Sequence, residues 1–215
     1  MKQGLTEMVF ILDRSGSMSG LEKDTIGGFN STIEKQKQEP GEAIVSTVLF
    51  DNQMDVLHDR IAIANVPAMT EKQYYARGCT ALLDAVGGAI HHIGNVHKYS
   101  REEDRPEKTI FVITTDGYEN ASHIYTAKKV KEMVERQKSK YGWEFIFLGA
   151  NIDAVETARE FGIAEECAAN FVSDDVGLKM CYEAQGVVMS NIRNNKKDRS
   201  WKDNIEADVR NRGRR

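Results

Sequence analysis

Five consecutive apolar residues, Met8-Val-Phe-Ile-Leu12, run without interruption into Asp13-Arg14-Ser15-Gly16-Ser17. A strand with one wet face alternates polar and apolar side chains, so an unbroken apolar run describes a strand covered on both faces. Such strands belong to parallel sheets flanked by helices. Whatever follows the run then sits at the carboxyl edge of the sheet, where open α/β folds bind their ligands.

The rest of the chain continues the alternation. A helix is expected from about Gly20 to Gln38, carrying Leu21, Ile26, Phe29 and Ile33 and ended by Pro40-Gly41. Ala43–Phe50 reads as a second strand. Asp51-Asn52 links it tightly to Met54–Ile61, which makes the third strand antiparallel and an edge. After a connection over roughly 64–79, Leu82, Val86, Ile90 and Ile93 mark a helix with one apolar face. Thr109–Thr115 is a further apolar strand, Val130, Val134 and Tyr141 line a helix, and Glu144–Leu148 is a fifth strand. A short helix over Ala154–Phe161 closes at Gly162, Asn170–Val172 is a short sixth strand, and a last helix runs from about Asp175 to Asn194. The expected fold is α/β: a doubly wound three-layer sandwich whose six-stranded sheet is mostly parallel, with one antiparallel edge strand. One domain is expected over 1–194, followed by a basic tail over 195–215.

Composition excludes several classes. At 215 residues, 40% apolar and 29% charged, the chain has enough length for one packed core and the balance of a soluble globular protein. No apolar run approaches the ~18 residues of a membrane span. Met1–Glu7 leads almost directly into the first strand, leaving no room for a signal peptide, so a cytoplasmic location is expected. Cys79, Cys167 and Cys181 form no Cys-x-x-Cys pair, which argues against a disulfide framework and a zinc knuckle. The net charge of −4 divides into a body at −9 and a segment over 193–215 at +5. The body offers no phosphate-binding surface; contact of the basic tail with nucleic acid or an acidic partner stands as an alternative function.

Three loops converge if the sheet is doubly wound. The first supplies Asp13, Ser15 and Ser17, the end of the Thr109–Thr115 strand supplies Asp116, and the start of the Leu82 helix supplies Thr80 beside Gly78. Two carboxylates and three hydroxyls form an oxygen-only set that suits a hard divalent cation, Mg²⁺ or Mn²⁺, and fills most of an octahedral shell. Each group also has a structural reading: Ser17, Ser19 or Thr80 can cap a helix, and Asp116-Gly117 is an ordinary turn pair. His91, His92 and His97 fall in the Leu82 helix, away from the strand ends, and read as surface or partly buried helix residues. Glu119 and Asn120 read as a solvated loop near the rim. Arg14 faces an acidic partner or pairs with a body carboxylate; Tyr74, Tyr75 and Arg77 form an interface or pack on the body; Trp201 anchors the tail.

The ordered set Asp13-Arg-Ser-Gly-Ser17, Thr80 and Thr115-Asp116-Gly117 resembles the von Willebrand factor A (vWA) domain family over roughly residues 5–190, and more narrowly its stand-alone bacterial members. The resemblance implies a metal-ion-dependent adhesion site (MIDAS). In it Ser15, Ser17 and Thr80 supply hydroxyls, Asp13 and Asp116 act directly or through water, and an acidic side chain of a partner protein completes the metal shell. It implies a binding module and not an enzyme. The rival is a metal-assisted hydrolase or phosphoryl-transfer enzyme, which needs a general base or second metal and groups that neutralise developing charge. The chain shows no Gly-rich phosphate cradle with Lys, no Gly-x-Ser-x-Gly elbow and no ordered Ser/His/Asp set. Binding through the metal site should be lost with EDTA and should survive removal of the tail after Asn194.

Overall fold

The computed structural model describes residues 1–196, 198 and 200–212. Among them a six-stranded sheet forms from β1 (Lys2–Asp13), β2 (Glu42–Phe50), β3 (Met54–Ala62), β4 (Pro106–Thr115), β5 (Glu144–Gly149) and β6 (Ala168–Asn170). The strand order is β3-β2-β1-β4-β5-β6, with β3 antiparallel to β2 and every other pairing parallel. The helices are α1 (Glu22–Lys37), α2 (Leu82–Tyr99), α3 (Ala127–Tyr141), α4 (Ala154–Glu160), α5 (Asp175–Arg193) and α6 (Asp203–Arg212). The expected doubly wound sheet with one antiparallel edge is therefore present.

The apolar run of β1 is explained by the layers. Met8, Phe10 and Leu12 point to one face and join a cluster with Phe29 of α1 and Leu178, Tyr182 and Met189 of α5. Val9 and Ile11 point to the other and join Val86 and Ile90 of α2 and Val130 and Val134 of α3. With a side-chain period of two and helices on both faces, every position of the apolar run is a core position. The two layers close tightly: α1 meets α5 at Gly28, where a Cβ would lie 2.2 Å from the Tyr182 ring.

Three strands differ from their expected bounds by two residues or more, and of these β4 begins at Pro106 and not at Thr109. β1 begins at Lys2 and not at Met8, because its exposed start carries no apolar signal yet pairs with Pro106 of β4. β6 lies at Ala168–Asn170 and not at Asn170–Val172. Its alanines have little intrinsic strand preference, and the pairing with Phe147–Gly149 of β5 sets its position.

At the amino edge of the sheet, Glu7 is 0% exposed. Its carboxylate accepts from Arg60 Nε at 2.7 Å and contacts His97 Nε2 at 2.5 Å. Removing one partner of a buried charged cluster leaves the others uncompensated, which costs about 3–5 kcal/mol. Glu7→Ala is thus expected to lower unfolding stability by that amount in urea titrations; a loss under about 1 kcal/mol would show that water replaces the carboxylate freely.

The segment beyond α5 is not a free tail over its described residues. Trp201 and Ile205 are buried in the same cluster as α5, and α6 packs against α5 and the β6 edge. Trp201 Nε1 donates to the Glu166 carbonyl at 3.2 Å, and Lys202 Nζ donates to the carbonyls of Glu165 and Ala168. Arg212 grips Asp174, the N-cap of α5, at 2.5 Å. Of the expected basic tail, Lys197, Arg199, Arg214 and Arg215 lie outside the described residues. No helix among the described residues is long and apolar enough to cross a membrane.

Candidate metal centre

β1 and β4 are neighbours, with Leu12 paired to Thr114, and their chains leave the carboxyl edge in opposite directions along the sheet. The crevice between them is the switch point of the strand order. Asp13 ends β1 and Asp116 follows β4, so the two carboxylates emerge side by side.

Asp13 is 2% exposed and braces three groups. Its Oδ1 accepts the Ser15 N–H at 2.7 Å; its Oδ2 accepts the Thr115 hydroxyl at 2.7 Å and the Asp116 N–H at 3.2 Å. Ser15 Oγ and Ser17 Oγ are 3.0 Å apart. That equals the separation of adjacent oxygens on an octahedral ion with bonds of about 2.1 Å, which is roughly 3.0 Å. A Cβ on Gly117 would lie 3.5 Å from Ser17 Oγ and 3.6 Å from Thr80 Oγ1. The two hydroxyls therefore flank a backbone that carries no side chain. All five oxygen-bearing residues expected from the sequence meet in this crevice.

Residues without a motif signal hold the set in place. Asp116 is 1% exposed; its Oδ1 accepts from Asn151 Nδ2 and its Oδ2 from the Ser173 hydroxyl at 2.7 Å. Asn151 follows β5 in a left-handed conformation (φ 56°), and Ser173 precedes the N-cap of α5. Their position just past β5 and β6 at the carboxyl edge is the one clue the sequence carries. Glu119 and Asn120, expected as solvated loop, are clamps. Asn120 Oδ1 accepts the Thr80 N–H at 2.9 Å and its N–H donates to the Thr80 carbonyl at 3.0 Å. Glu119 accepts the Leu83 N–H at 2.8 Å, capping the start of α2.

The side chains with two open readings resolve to packing. Arg14 pairs with Asp51 at 2.8 Å and with Asp55, and Arg77 pairs with Asp51 at 2.7 Å. Tyr74 is buried and donates to the Asp13 carbonyl at 2.5 Å, while Tyr75 lies half exposed between the two guanidinium groups. His91, His92 and His97 contact Tyr125, Asp59 and Glu7 along α2. No group of three or more His, Cys, Asp or Glu among the described residues is placed to hold a metal, so any cation site here depends on hydroxyls.

Burial pushes the Asp116 carboxyl above its ordinary range, against the hydrogen bonds from Ser173 and Asn151, and the nearby Asp13 charge raises it further. A carboxyl raised in the folded state makes folding less favourable as pH rises from the unfolded value through the raised one. Among the described residues neither Asp13 nor Asp116 forms an ion pair with a basic side chain.

Solved structures share this architecture. Proximal thread matrix protein 1 (PTMP1) from the mussel byssus superposes with a TM-score of 0.61 at 16% identity, over 87% of this chain and 46% of that one. The vWF domain of the type V pili tip protein Mfa5 from Porphyromonas gingivalis gives 0.62 at 10% identity, over 87% and 95%. The fold is that of a vWA domain. A von Willebrand factor type A structure from Catenulispora acidiphila also matches this vWA fold, with a TM-score of 0.55 at 12% identity over 84% and 42%. The chain spans a little under half the length of the PTMP1 and Catenulispora chains. A further PTMP1 structure is described as having a zinc-occupied MIDAS motif. No family model and no curated protein matches the chain.

Proposed function

We propose that the chain is a metal-dependent protein-binding module. Ser15, Ser17 and Thr80 would offer hydroxyl oxygens to a divalent cation, Mg²⁺ or Mn²⁺, with Asp13 and Asp116 acting directly or through water. An acidic side chain of a partner protein would complete the shell. The observation that carries this reading is the pair of buried, adjacent carboxylates that lacks a basic partner among the described residues and faces converging hydroxyls. Two like charges buried together are costly unless a cation compensates them. When bound, the cation supplies a Lewis-acidic position that accepts a carboxylate oxygen.

The chain's own residues prepare that position. Asp13 fixes the backbone of both carboxylate loops, Asn120 fixes Thr80, and Asn151 and Ser173 orient Asp116. PTMP1 with zinc in its MIDAS motif supports divalent-metal binding on this fold; the all-oxygen set here favours a harder ion. We infer a non-enzymatic role, which the same surroundings support: Arg14 and Arg77 are engaged with Asp51 and Asp55, and the α2 histidines have partners elsewhere. The free and exposed Cys79 thiol suits a reducing compartment, so we place the protein in the cytoplasm.

Thermal unfolding tests the metal. Mn²⁺ at a hundredfold excess over its Kd should stabilise the wild type by about 2.7 kcal/mol, with no gain in EDTA and a reduced gain in Thr80→Ala. Identical melting curves with and without metal would overturn the reading. Capture of a partner from lysate in Mg²⁺, and its loss in EDTA and with Thr80→Ala as bait, tests the interface.

A further inference from the structure

The loops bearing Ser15, Ser17 and Thr80 are far apart in sequence, and one side chain that is not among the proposed ligands joins them. Asp51 follows β2 in the turn to β3 and is 3% exposed. Its Oδ2 accepts from Arg14 Nε at 2.8 Å and from Arg77 Nε at 2.7 Å; its Oδ1 accepts the Gln53 N–H at 3.0 Å. Its carbonyl accepts the Ala81 N–H at 2.9 Å. Arg14 lies between Asp13 and Ser15, and Ala81 directly follows Thr80. Two backbone bonds and one to a side chain reinforce the junction: Arg77 N–H to the Arg14 carbonyl at 2.8 Å, Gly16 N–H to the Gly78 carbonyl at 3.0 Å, and Cys79 N–H to the side-chain Asn52 Oδ1 at 2.8 Å.

We propose that Asp51 is the positioning residue of this metal site: its carboxylate, shared between two guanidinium groups, sets the spacing of the serine loop from the threonine loop and so sets the cation affinity. The inference rests on the metal-binding reading above. Two guanidinium groups held this close repel one another, and a shared carboxylate turns that repulsion into a tether. Burial alone pushes Asp51 up, but the bonds from Arg77, the Gln53 N–H and Arg14 hold its carboxyl below its ordinary value. Arg77 is spent on this junction: Nε on Asp51, Nη1 on the Tyr75 hydroxyl at 2.9 Å and Nη2 near Asp55 at 3.4 Å. It positions the loop and does not read the partner. Asp55 touches the same two guanidinium groups, yet it is exposed and holds no loop backbone, which makes it an internal control.

Mn²⁺ titration followed by electron paramagnetic resonance, on wild type, Asp51→Asn, Arg77→Ala and Asp55→Asn, tests the proposal. Supporting groups of metal sites set affinity by about 10–100-fold, so Asp51→Asn should weaken Mn²⁺ binding by that factor. Arg77→Ala leaves Asp51 paired with Arg14 alone and should weaken it by about threefold or more, with Asp55→Asn within about twofold of wild type. Amide hydrogen exchange on the metal-free proteins supplies a readout that needs no cation: Gly16, Cys79 and Ala81 should exchange faster in Asp51→Asn, with the amides of β4 and β5 unchanged. Unaltered exchange at those three amides, or Mn²⁺ affinity of Asp51→Asn within about twofold of wild type, overturns the proposal. An equal loss in Asp55→Asn also overturns it, because charge and not tethering would then be at work. A wild type that binds no Mn²⁺ sinks the metal reading and the affinity claim with it, while exchange still decides whether Asp51 joins the loops.

Discussion

Asp13→Ala is expected to remove divalent-metal binding, with an affinity loss on the order of a hundredfold or more, and to destabilise the metal-free protein by about 2 kcal/mol. The two effects have separate causes. The first is the loss of one of two carboxylates facing three hydroxyls. The second arises because Asp13 accepts from the Ser15 N–H, the Thr115 hydroxyl and the Asp116 N–H, and an alanine strands those buried donors. Part of that cost is offset, since the Asp13 charge is one of the influences raising the Asp116 carboxyl. Thr80→Ala provides the contrast. It deletes a hydroxyl while the backbone clamp to Asn120 stays, so metal affinity falls and metal-free stability barely moves. Mn²⁺ titration and urea unfolding of both variants check the pair. Metal affinity of Asp13→Ala within about tenfold of wild type would remove it from the site.

Deleting the chain from Ser200 onward is expected to unfold or aggregate the protein, against the expectation that binding through the metal site survives removal of the tail. Trp201 and Ile205 are buried in the main cluster beside α5, and Val209 packs partly against it. Truncating a buried Trp to Ala costs about 3–5 kcal/mol, a large share of the ~5–15 kcal/mol that holds a domain together. The deletion also removes Lys202 from the Glu165 and Ala168 carbonyls and uncovers the edge of β6, an invitation to strand pairing between molecules. Trp201→Ala alone should lower the stability measured in urea by about 3 kcal/mol or more. A deletion variant that is monomeric with an unchanged midpoint would show that α6 contributes nothing to the core.

Trp201 was legible as an anchor of this segment, whereas the packing of α6 was not, for a specific reason. Nine basic residues over 193–215 dominate its composition and point to solvent. The anchors are three apolar residues at four-residue spacing, Trp201, Ile205 and Val209, a stripe so narrow that the charged residues between them mask it. The clamps of the crevice between β1 and β4 were hidden similarly. Asn151, Ser173 and Asn120 are single polar residues in loops, where such residues are common, and their partners lie 35, 57 and 40 positions away. Asp51 was legible as the corner of a hairpin, whereas its hold on Arg14 and Arg77 was not.

Local chemistry wrote the strands, the helices and the order of the five oxygen-bearing residues into the chain. A strand buried on both faces must be apolar throughout, a helix must repeat its apolar residues every three to four positions, and loops at strand ends must carry the polar groups. Which loops touch, which carboxylate binds which donor, and whether a charged segment folds back on the body depend on contacts between residues tens of positions apart. Those pairings have no period to read. They exist only once the sheet has set β1 beside β4 and drawn the β2–β3 turn and the residues following β5 and β6 to its carboxyl edge.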